Sequence, residues 1–403
     1  RTLLTDRATP TPVVSHNVVT RGASSGIIIT ASHNPAHWNG FKFKPAYGGS
    51  ASPAIVAELE QEIARTEVAH KVERVPVSQA KDTGLIECFD PRPSYLEHVG
   101  SLVDLDAIRG SNLDIVVDPM FGAGAGYFPT LLEGGSARIT EMHGHRNPAF
   151  PGMAQPEPLG HNLGELASVV GGGIADVGIA TDGDADRVGI IDNRGQFITT
   201  LKTFALLCFH QLEVLGERGP LVRSITMTRM VDRLGELYSV PVFDTPVGFK
   251  YLGPMMMCED AIIAGEESGG YAFRGNIPER DGILSGLMLL EMLVKTGKSV
   301  SELLTMLEEK VGPHHYDRWD LHFDEAERAD IENRVCNSNP ATLGGKAVTN
   351  IDTRDGYQFI LEDGHWAVIR FSGTEPLLRI YAEAESPQAV EELLDDARTI
   401  AGI

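Results

Sequence analysis

The stretch Asp176-Val-Gly-Ile-Ala-Thr-Asp-Gly-Asp-Ala-Asp-Arg187, followed at once by Val188-Gly-Ile-Ile191, decides the fold. Two short apolar runs flank a loop with three carboxylates, and their length and β-branched content predict strands over 174–180 and 188–191. The same arrangement recurs in Gly26-Ile-Ile-Ile-Thr-Ala31 before Ser32 and in Ala261-Ile-Ile-Ala264 before Gly265-Glu266. A strand that ends three times in a polar loop is a weak internal repeat. In open α/β sheets ligands collect beyond the carboxyl ends of strands, so three similar domains would each aim one loop at a shared cleft.

Working outward, Ile115-Val-Val117 reads as a further strand, and helical spacing covers 55–63, 201–215, 282–295 and 300–309. Alternation of strands and helices is the mark of α/β architecture. The pattern changes after Gly312-Pro313, where acidic segments lead to Trp366-Ala-Val-Ile-Arg-Phe371 and Leu377-Leu-Arg-Ile-Tyr-Ala382. This reads as a smaller antiparallel α+β domain hinged near Gly312-Pro313. The expected division is 1–106 with the Ser32 loop, 107–200 with the acidic loop, 201–310 with the Glu266 loop, and 311–403. A start at Arg1 that runs directly into Thr9-Pro-Thr-Pro12 reads as a first domain incomplete at its N-terminus.

Composition narrows the function. A chain of 403 residues with 42% hydrophobic residues can bury several cores, which suits two to four domains. The formal charge of −22 argues against nucleic acid or an anionic membrane as partner, because both require a basic footprint. An anionic small molecule needs only a local cluster of cations, for which Lys42, Arg187, Lys250, Arg370 and Arg379 stand in or beside the motifs. Cys88, Cys208, Cys258 and Cys336 lack metal-site or CxxC spacing and read as core residues of a protein in a reducing compartment. No apolar run reaches spanning length and no signal-peptide block opens the chain, so the expected location is the cytoplasm.

The chemistry lies in four loops. Ser32, in Thr30-Ala-Ser-His-Asn-Pro35, sits on a turn kept from helix by proline; to act as a nucleophile it needs an activating neighbour or a metal, and Lys42 is near enough in sequence to return to it. Asp182, Asp184 and Asp186 alternate, which in extended chain places three carboxylates on one side. Such repulsion calls for a divalent cation, and an all-oxygen set favours Mg²⁺ or Mn²⁺. A calcium EF-hand is excluded because its sixth position is Arg187 where glycine is needed and its twelfth is Asn193 where glutamate is needed. Glu266 and Ser268, in Gly265-Glu-Glu-Ser-Gly-Gly270, offer acceptors and a donor for sugar hydroxyls. Arg370, Ser372, Gly373 and Thr374, with Arg379 on the next strand, form a phosphate cradle. Each loop taken singly also reads as a cap or a solvated turn. Gly122-Ala-Gly-Ala-Gly126 departs from the dinucleotide fingerprint at Tyr127 and reads as a tight turn, and His143-Gly-His145 reads as a loop.

Together and in this order the four motifs resemble the α-D-phosphohexomutases, specifically the bacterial and archaeal phosphoglucomutase/phosphomannomutase group, along the whole chain. The resemblance implies that Ser32 carries a phosphoryl group and helps bind the metal; that Asp182, Asp184 and Asp186 hold Mg²⁺; and that Arg187 stands next to the metal. It gives His33 and Lys42 acid/base or phosphate-contact work, Glu266 and Ser268 the sugar hydroxyls, and Arg370, Ser372, Gly373, Thr374 and Arg379 the phosphate clamp. Thr245-Pro-Val-Gly-Phe-Lys250 resembles a substrate-facing loop, with Lys250 as its cation. The implied reaction interconverts hexose 1- and 6-phosphates of glucose or mannose through phosphoserine and a hexose 1,6-bisphosphate, in a monomer or homodimer. The Gly-Arg-Asp segment that precedes the serine loop in the family has no counterpart here. Glu267 stands where glucosamine-specific members carry glutamine, which makes glucosamine phosphate the less expected substrate, and Gly270 stands where some members dual for mannose and glucose carry histidine, with glucose against mannose open. A metal-dependent sugar-phosphate phosphohydrolase and a non-catalytic sugar-phosphate binder use overlapping residues and remain as alternatives.

Overall fold

The computed structural model describes residues 1–69, 72–372 and 375–403. Its second sheet shows why the opening stretch is informative. Five strands run in the order Arg138–Glu141, Asp114–Asp118, Val177–Thr181, Val188–Ile191 and Phe197–Ile198. The first three are parallel, Val188–Ile191 returns antiparallel to them, and Phe197–Ile198 pairs antiparallel with it in turn. Every residue of Val177–Thr181 and of Val188–Ile191 is buried. That is why both read as apolar runs without alternation. The acidic loop is the hairpin connection between them. The strand expected over 174–180 begins only at Val177, because Gly173, at φ +76°, ends the preceding helical segment.

The third sheet repeats this plan in the order Val242–Thr245, Leu221–Ser224, Ile263–Glu266 and Gly270–Phe273. Its last two strands again form an antiparallel hairpin, with Glu266 opposite Gly270. In the first unit the strands Ser25–Ile29 and Phe41–Pro45 form an antiparallel ribbon, and Thr2–Thr5 pairs in parallel with Ile86–Phe89. The weak repeat in the sequence is therefore a shared hairpin: apolar strand, polar loop, antiparallel return. The first unit covers itself least. Ile27, Ile29 and Phe41 are exposed, and the helix Pro53–Ala69 buries no residue.

The helix Gly282–Thr296 fastens the second unit to the third. Asp281 caps it by accepting from Leu284 N, Gly297 ends it at φ +65°, and nearly its whole circumference is buried. Such a helix is apolar all round because it has protein on every side. Gly286 lets it approach the second sheet, since a Cβ there would lie 2.7 Å from Phe128 and 3.0 Å from Ile179. One core accordingly runs through both units, from Val117 and Ile179 to Leu234 and Phe273.

The last unit is a six-stranded antiparallel sheet in the order His315–His322, Leu377–Ala384, Trp366–Phe371, Tyr357–Leu361, Lys346–Asp352 and Thr342–Leu343. The helix Pro387–Ala401, capped by Ser386, packs on it and shares its separate core. The cysteines are a correction. Only Cys208 is buried; Cys258 and Cys336 end their helices and Cys88 lies on a two-stranded ribbon, and all three are exposed. Gly122–Gly126 is the tight turn between strand Asp114–Asp118 and helix Tyr127–Leu132 that its composition suggests, with Gly126 at φ +82°.

Candidate active site

The ribbon of the first unit presents the serine loop. Thr30 N donates to Gly40 O at 3.0 Å and closes its neck, while Thr30 Oγ1 accepts from Ser32 N at 2.8 Å. Ser32 is left-handed at φ +52°, a conformation a serine adopts only when its surroundings hold it there. Its Oγ lies 3.0 Å from Asp182 Oδ2 and 3.0 Å from Asp184 Oδ1, so one hydroxyl faces two carboxylates from the neighbouring unit.

Those carboxylates converge for a different reason from the alternation read in the sequence. Residues 182–187 are a turn, with Ala185 at φ +56° and its N–H donating to Asp182 O at 3.0 Å. The turn wraps round the Asp182 side chain, whose Oδ1 accepts from Asp186 N at 2.9 Å and Arg187 N at 3.1 Å. Two glycines make the packing feasible. A Cβ on Gly183 would stand 2.4 Å from Ser32 O, and one on Gly122 would stand 2.7 Å from Gly183 O.

Asp182, Asp184 and Asp186 are all buried, and each places an oxygen within 4.8 Å of the others. Burial, then Asp186 and Asp184, push the Asp182 carboxyl well above the usual range. Burial acts the same way on the other two but is outweighed, in Asp184 by Lys42 and in Asp186 by Arg280 and Lys42, and both are held below the usual range. Asp186 Oδ1 is buried without a hydrogen-bond partner. Three hard oxygen donors, one of them unsatisfied, fit a divalent cation of the Mg²⁺ type.

Lys42 does not return to the serine hydroxyl. It pairs with carboxylates instead, with Nζ 2.7 Å from Asp184 Oδ2 and 2.9 Å from Asp186 Oδ2. Burial would lower its pKa, yet the two aspartates raise it. Arg187 sends NH1 to Glu157 Oε1 at 3.0 Å and places NH2 3.4 Å from His33 Nε2. Burial first, then the Arg187 charge, hold His33 down to about 4.

Sequence reading missed three residues here. Thr11 donates from Oγ1 to Asp184 Oδ2 at 2.7 Å, and its N–H donates to Asp184 O; the Thr-Pro-Thr-Pro run was the available signal. Arg280 reaches Asp186 Oδ2 at 2.6 Å with NH2 and Glu266 Oε1 at 2.7 Å with NH1, joining the acidic loop to the Glu266 loop. Glu157 orients Arg187. The charged run Glu279-Arg-Asp281 before a helix could have drawn attention to Arg280, but its partners lie on two other loops and no spacing reveals them.

The remaining motif residues are spread over the third and last units. Glu266 is buried and accepts from Ser268 Oγ at 2.7 Å. Glu267 accepts from Tyr316 OH at 2.8 Å and pairs with Arg318 at 3.2 Å, so it contacts the last unit. Gly269, at φ +88°, brings the loop against Val188, whose N–H donates to Gly269 O. Arg370 and Arg379 stand directly opposite across adjacent strands. Like charges so placed repel, and each has a carboxylate beside it, Arg370 with Asp355 at 3.1 Å and Arg379 with Asp320 at 3.9 Å. Ser372 N donates to Leu377 O at 2.8 Å, while Gly373 and Thr374 lie outside the described residues. Lys250 is exposed on the first turn of helix Phe249–Cys258, its Nζ 5.2 Å from the Tyr251 ring centre. Among the described residues no contact joins Arg370 or Arg379 to Ser32 or the aspartates.

Comparison with known proteins covers almost the entire chain. The three phosphoglucomutase/phosphomannomutase alpha/beta/alpha domain models match residues 1–70, 93–195 and 202–311, and the C-terminal domain model matches 325–400. A phosphoglucomutase/phosphomannomutase of Thermococcus kodakarensis is 33% identical over 96% of this chain and 80% of its own length. A phosphoglucosamine/phosphogalactosamine mutase of Sulfurisphaera tokodaii is 29% identical over 97% of this chain and 83% of its own. A crystal structure from Thermus thermophilus, assigned as a phosphomannomutase, superposes with a TM-score of 0.82 at 33% identity, covering 100% of this chain and 84% of that one. The open form of Paramecium parafusin has the same fold, with a TM-score of 0.80 at 22% identity over 98% of this chain and 81% of its own. Four domain matches in order, and a relative one-third identical along nearly the full length, place this chain in the phosphoglucomutase/phosphomannomutase family of α-D-phosphohexomutases.

Proposed function

We propose that this chain is a Mg²⁺-dependent phosphohexomutase that moves a phosphoryl group between the 1- and 6-oxygens of a hexose through phosphorylated Ser32. One observation carries the reading: a serine hydroxyl on a strained turn stands 3.0 Å from two carboxylates of a buried three-aspartate loop. Asp182, Asp184 and Asp186, with the Ser32 oxygen, would hold the cation. Bound there, Mg²⁺ supplies charge neutralisation at a transferring phosphoryl group.

The chain's own residues account for the rest. In the forward half-reaction the bond from phosphorus to Ser32 Oγ breaks, a bond to a free sugar hydroxyl forms, and the hydroxyl proton passes to a group beside the loop, for which neutral His33 is the candidate, Lys42 being charged and left with phosphate-contact work. The bisphosphate then turns over in the cleft, and its other phosphate returns to Ser32 by the reverse steps. Lys42 and Arg280 place positive charge beside the serine loop, and Arg280 also fixes Glu266, which with Ser268 would read the sugar hydroxyls. Arg370 and Arg379, with Ser372, Gly373 and Thr374, would hold the phosphate that is not being transferred. Relatives named for glucose, mannose and amino-sugar phosphates match along nearly the whole chain, so the substrate class is hexose phosphate.

The test is conversion of glucose 1-phosphate, mannose 1-phosphate and glucosamine 1-phosphate, side by side, with Mg²⁺ and a trace of glucose 1,6-bisphosphate. Formation of a 6-phosphate without free phosphate supports the mutase. Stoichiometric release of inorganic phosphate would identify a phosphohydrolase, and binding with neither product a non-catalytic binder.

A further inference from the structure

Arg370 and the loop Thr245–Lys250 belong to different units, and a single side chain touches both. Asp355 lies in the turn between strands Lys346–Asp352 and Tyr357–Leu361. Its Oδ1 accepts from Arg370 Nε and NH2, each at 3.1 Å. Its Oδ2 accepts from Val247 N at 2.7 Å. The turn is held close on both sides. Gly356, at φ +81°, packs so tightly that a Cβ would lie 2.4 Å from Ile369 O and 2.6 Å from Arg370 Cγ. On the other flank Arg354 NH1 donates to Asp244 O at 3.2 Å.

We infer that Asp355 is a positioning residue for the reaction proposed above, one carboxylate that sets the Arg370 guanidinium against the Thr245–Lys250 loop. The geometry divides its work by oxygen. Oδ1 takes the Nε–NH2 edge of Arg370, an arrangement that leaves the NH1–NH2 end oriented for a bidentate grip on phosphate. Oδ2 anchors the backbone of the facing loop three residues before Lys250. A cleft whose clamp and loop must meet the same bisphosphate in two orientations needs their separation fixed when closed, and a bridging carboxylate fixes it without a covalent link. Asparagine at this position has the same shape, but its amide nitrogen cannot accept from either partner, and the charge that orients Arg370 is gone.

The experiment compares Asp355→Asn with Asp352→Asn, which loosens Arg354 in the same turn and leaves Asp355 in place. Asp355→Asn should raise KM for hexose 1-phosphate about tenfold, the scale of one charge-assisted hydrogen bond. It should also increase dependence on added hexose 1,6-bisphosphate, while Ser32 phosphorylation and Mg²⁺ dependence stay as in the parent protein. Amide hydrogen exchange at Val247 should accelerate in Asp355→Asn alone, a readout that needs no turnover. It separates the two readings: if the parent protein interconverts no hexose phosphate, the function above fails while the exchange result still judges the tie. Unchanged exchange at Val247 overturns the inference. So does accelerated exchange with unaltered KM and bisphosphate dependence, or an equal effect from Asp352→Asn.

Discussion

Gly183→Ala should nearly silence the enzyme through a contact that involves no reacting atom. The added Cβ would stand 2.4 Å from Ser32 O, a backbone atom that cannot swing aside as a side-chain tip would. Ordinary contact requires more than 3 Å, so the two loops must part by about 1 Å, a shift of the kind that costs on the order of 10²-fold in rate at a catalytic centre. Ser32 Oγ would lose one or both of its 3.0 Å contacts with Asp182 and Asp184. Overpacking of this type also costs about 1 to 3 kcal/mol in stability. Gly164→Ala is the control, because a Cβ at that helix start meets nothing within 4 Å. The assay is steady-state conversion of hexose 1-phosphate to 6-phosphate, together with the mass-spectrometric fraction of phosphorylated Ser32. The expected outcome is kcat/KM reduced about 100-fold in Gly183→Ala and unchanged in Gly164→Ala. Equal activity of the two variants would show that the serine and aspartate loops do not meet as described.

Further outcomes follow from the same geometry. Ser32→Ala should abolish turnover while the protein stays folded, at a cost of about 1.5 to 3 kcal/mol for a hydroxyl hydrogen-bonded to carboxylates; parent-like turnover would remove the phosphoserine. Chelation by EDTA should stop the reaction and Mg²⁺ restore it, whereas Asp184→Asn should not recover at ordinary Mg²⁺; full activity in metal-free buffer would refute the three-aspartate site. Arg280→Lys should keep more activity than Arg280→Ala, because a lysine can pair with Asp186 or Glu266 but not bridge both as the guanidinium does; equal loss in the two variants would argue against that bridge. Stability should fall as acid charges His16, which is buried beside His98 and Tyr95 and hydrogen-bonded to Ser94. Burial first, then His98, lower it from 6.5 to about 4. The folded protein therefore prefers neutral His16, and its contribution is complete above pH 6.5 and lost as pH falls from 6.5 toward 4. The loss is at most about 3 kcal/mol. Denaturant unfolding of His16→Gln should show a shallower decline over that window than the parent protein; an identical decline would show that His16 does not titrate on unfolding.

What could be read in advance followed a physical rule. Strands Val188–Ile191 and Trp366–Phe371 and helices Gly282–Thr296 and Val300–Val311 announce themselves because each has a burial pattern written in consecutive residues. Asp182, Asp184 and Asp186 were visible because like charges so close in one loop need a partner wherever they fold. Thr11, Glu157 and Arg280 were not, since each derives its role from a neighbour distant in the chain. The mechanism of convergence was also hidden: nothing in the alternation of aspartates tells that Ala185 turns left-handed and that the chain wraps round the Asp182 carboxylate. Lys42 shows the same limit, being legible as a cation near Ser32 yet bound to Asp184 and Asp186.

The placement of Arg280 explains why these loops work as one site. Asp186 and Glu266 each stand in a hairpin of a different sheet, and both are buried, so each needs a polar partner within the protein. One guanidinium satisfies both, and Asp281 beside it caps the helix that joins the two units. Burial would lower the Arg280 pKa, but Asp186, Glu266 and Glu279 raise it well above the usual value. Loss of that charge would leave two buried carboxylates facing each other's loop, with Lys42 paired to Asp186 and Asp184 but not to Glu266. The distance between the aspartate loop and the Glu266 loop is thus set by a residue that belongs to neither motif. An Arg280 variant should consequently change both Mg²⁺ dependence and discrimination among hexose phosphates, whereas a variant of Glu266 should change discrimination alone. Measuring both variants with glucose 1-phosphate and mannose 1-phosphate across a Mg²⁺ titration decides the matter: an Arg280 variant that shifts only one of the two properties would mean that the loops keep their spacing without it.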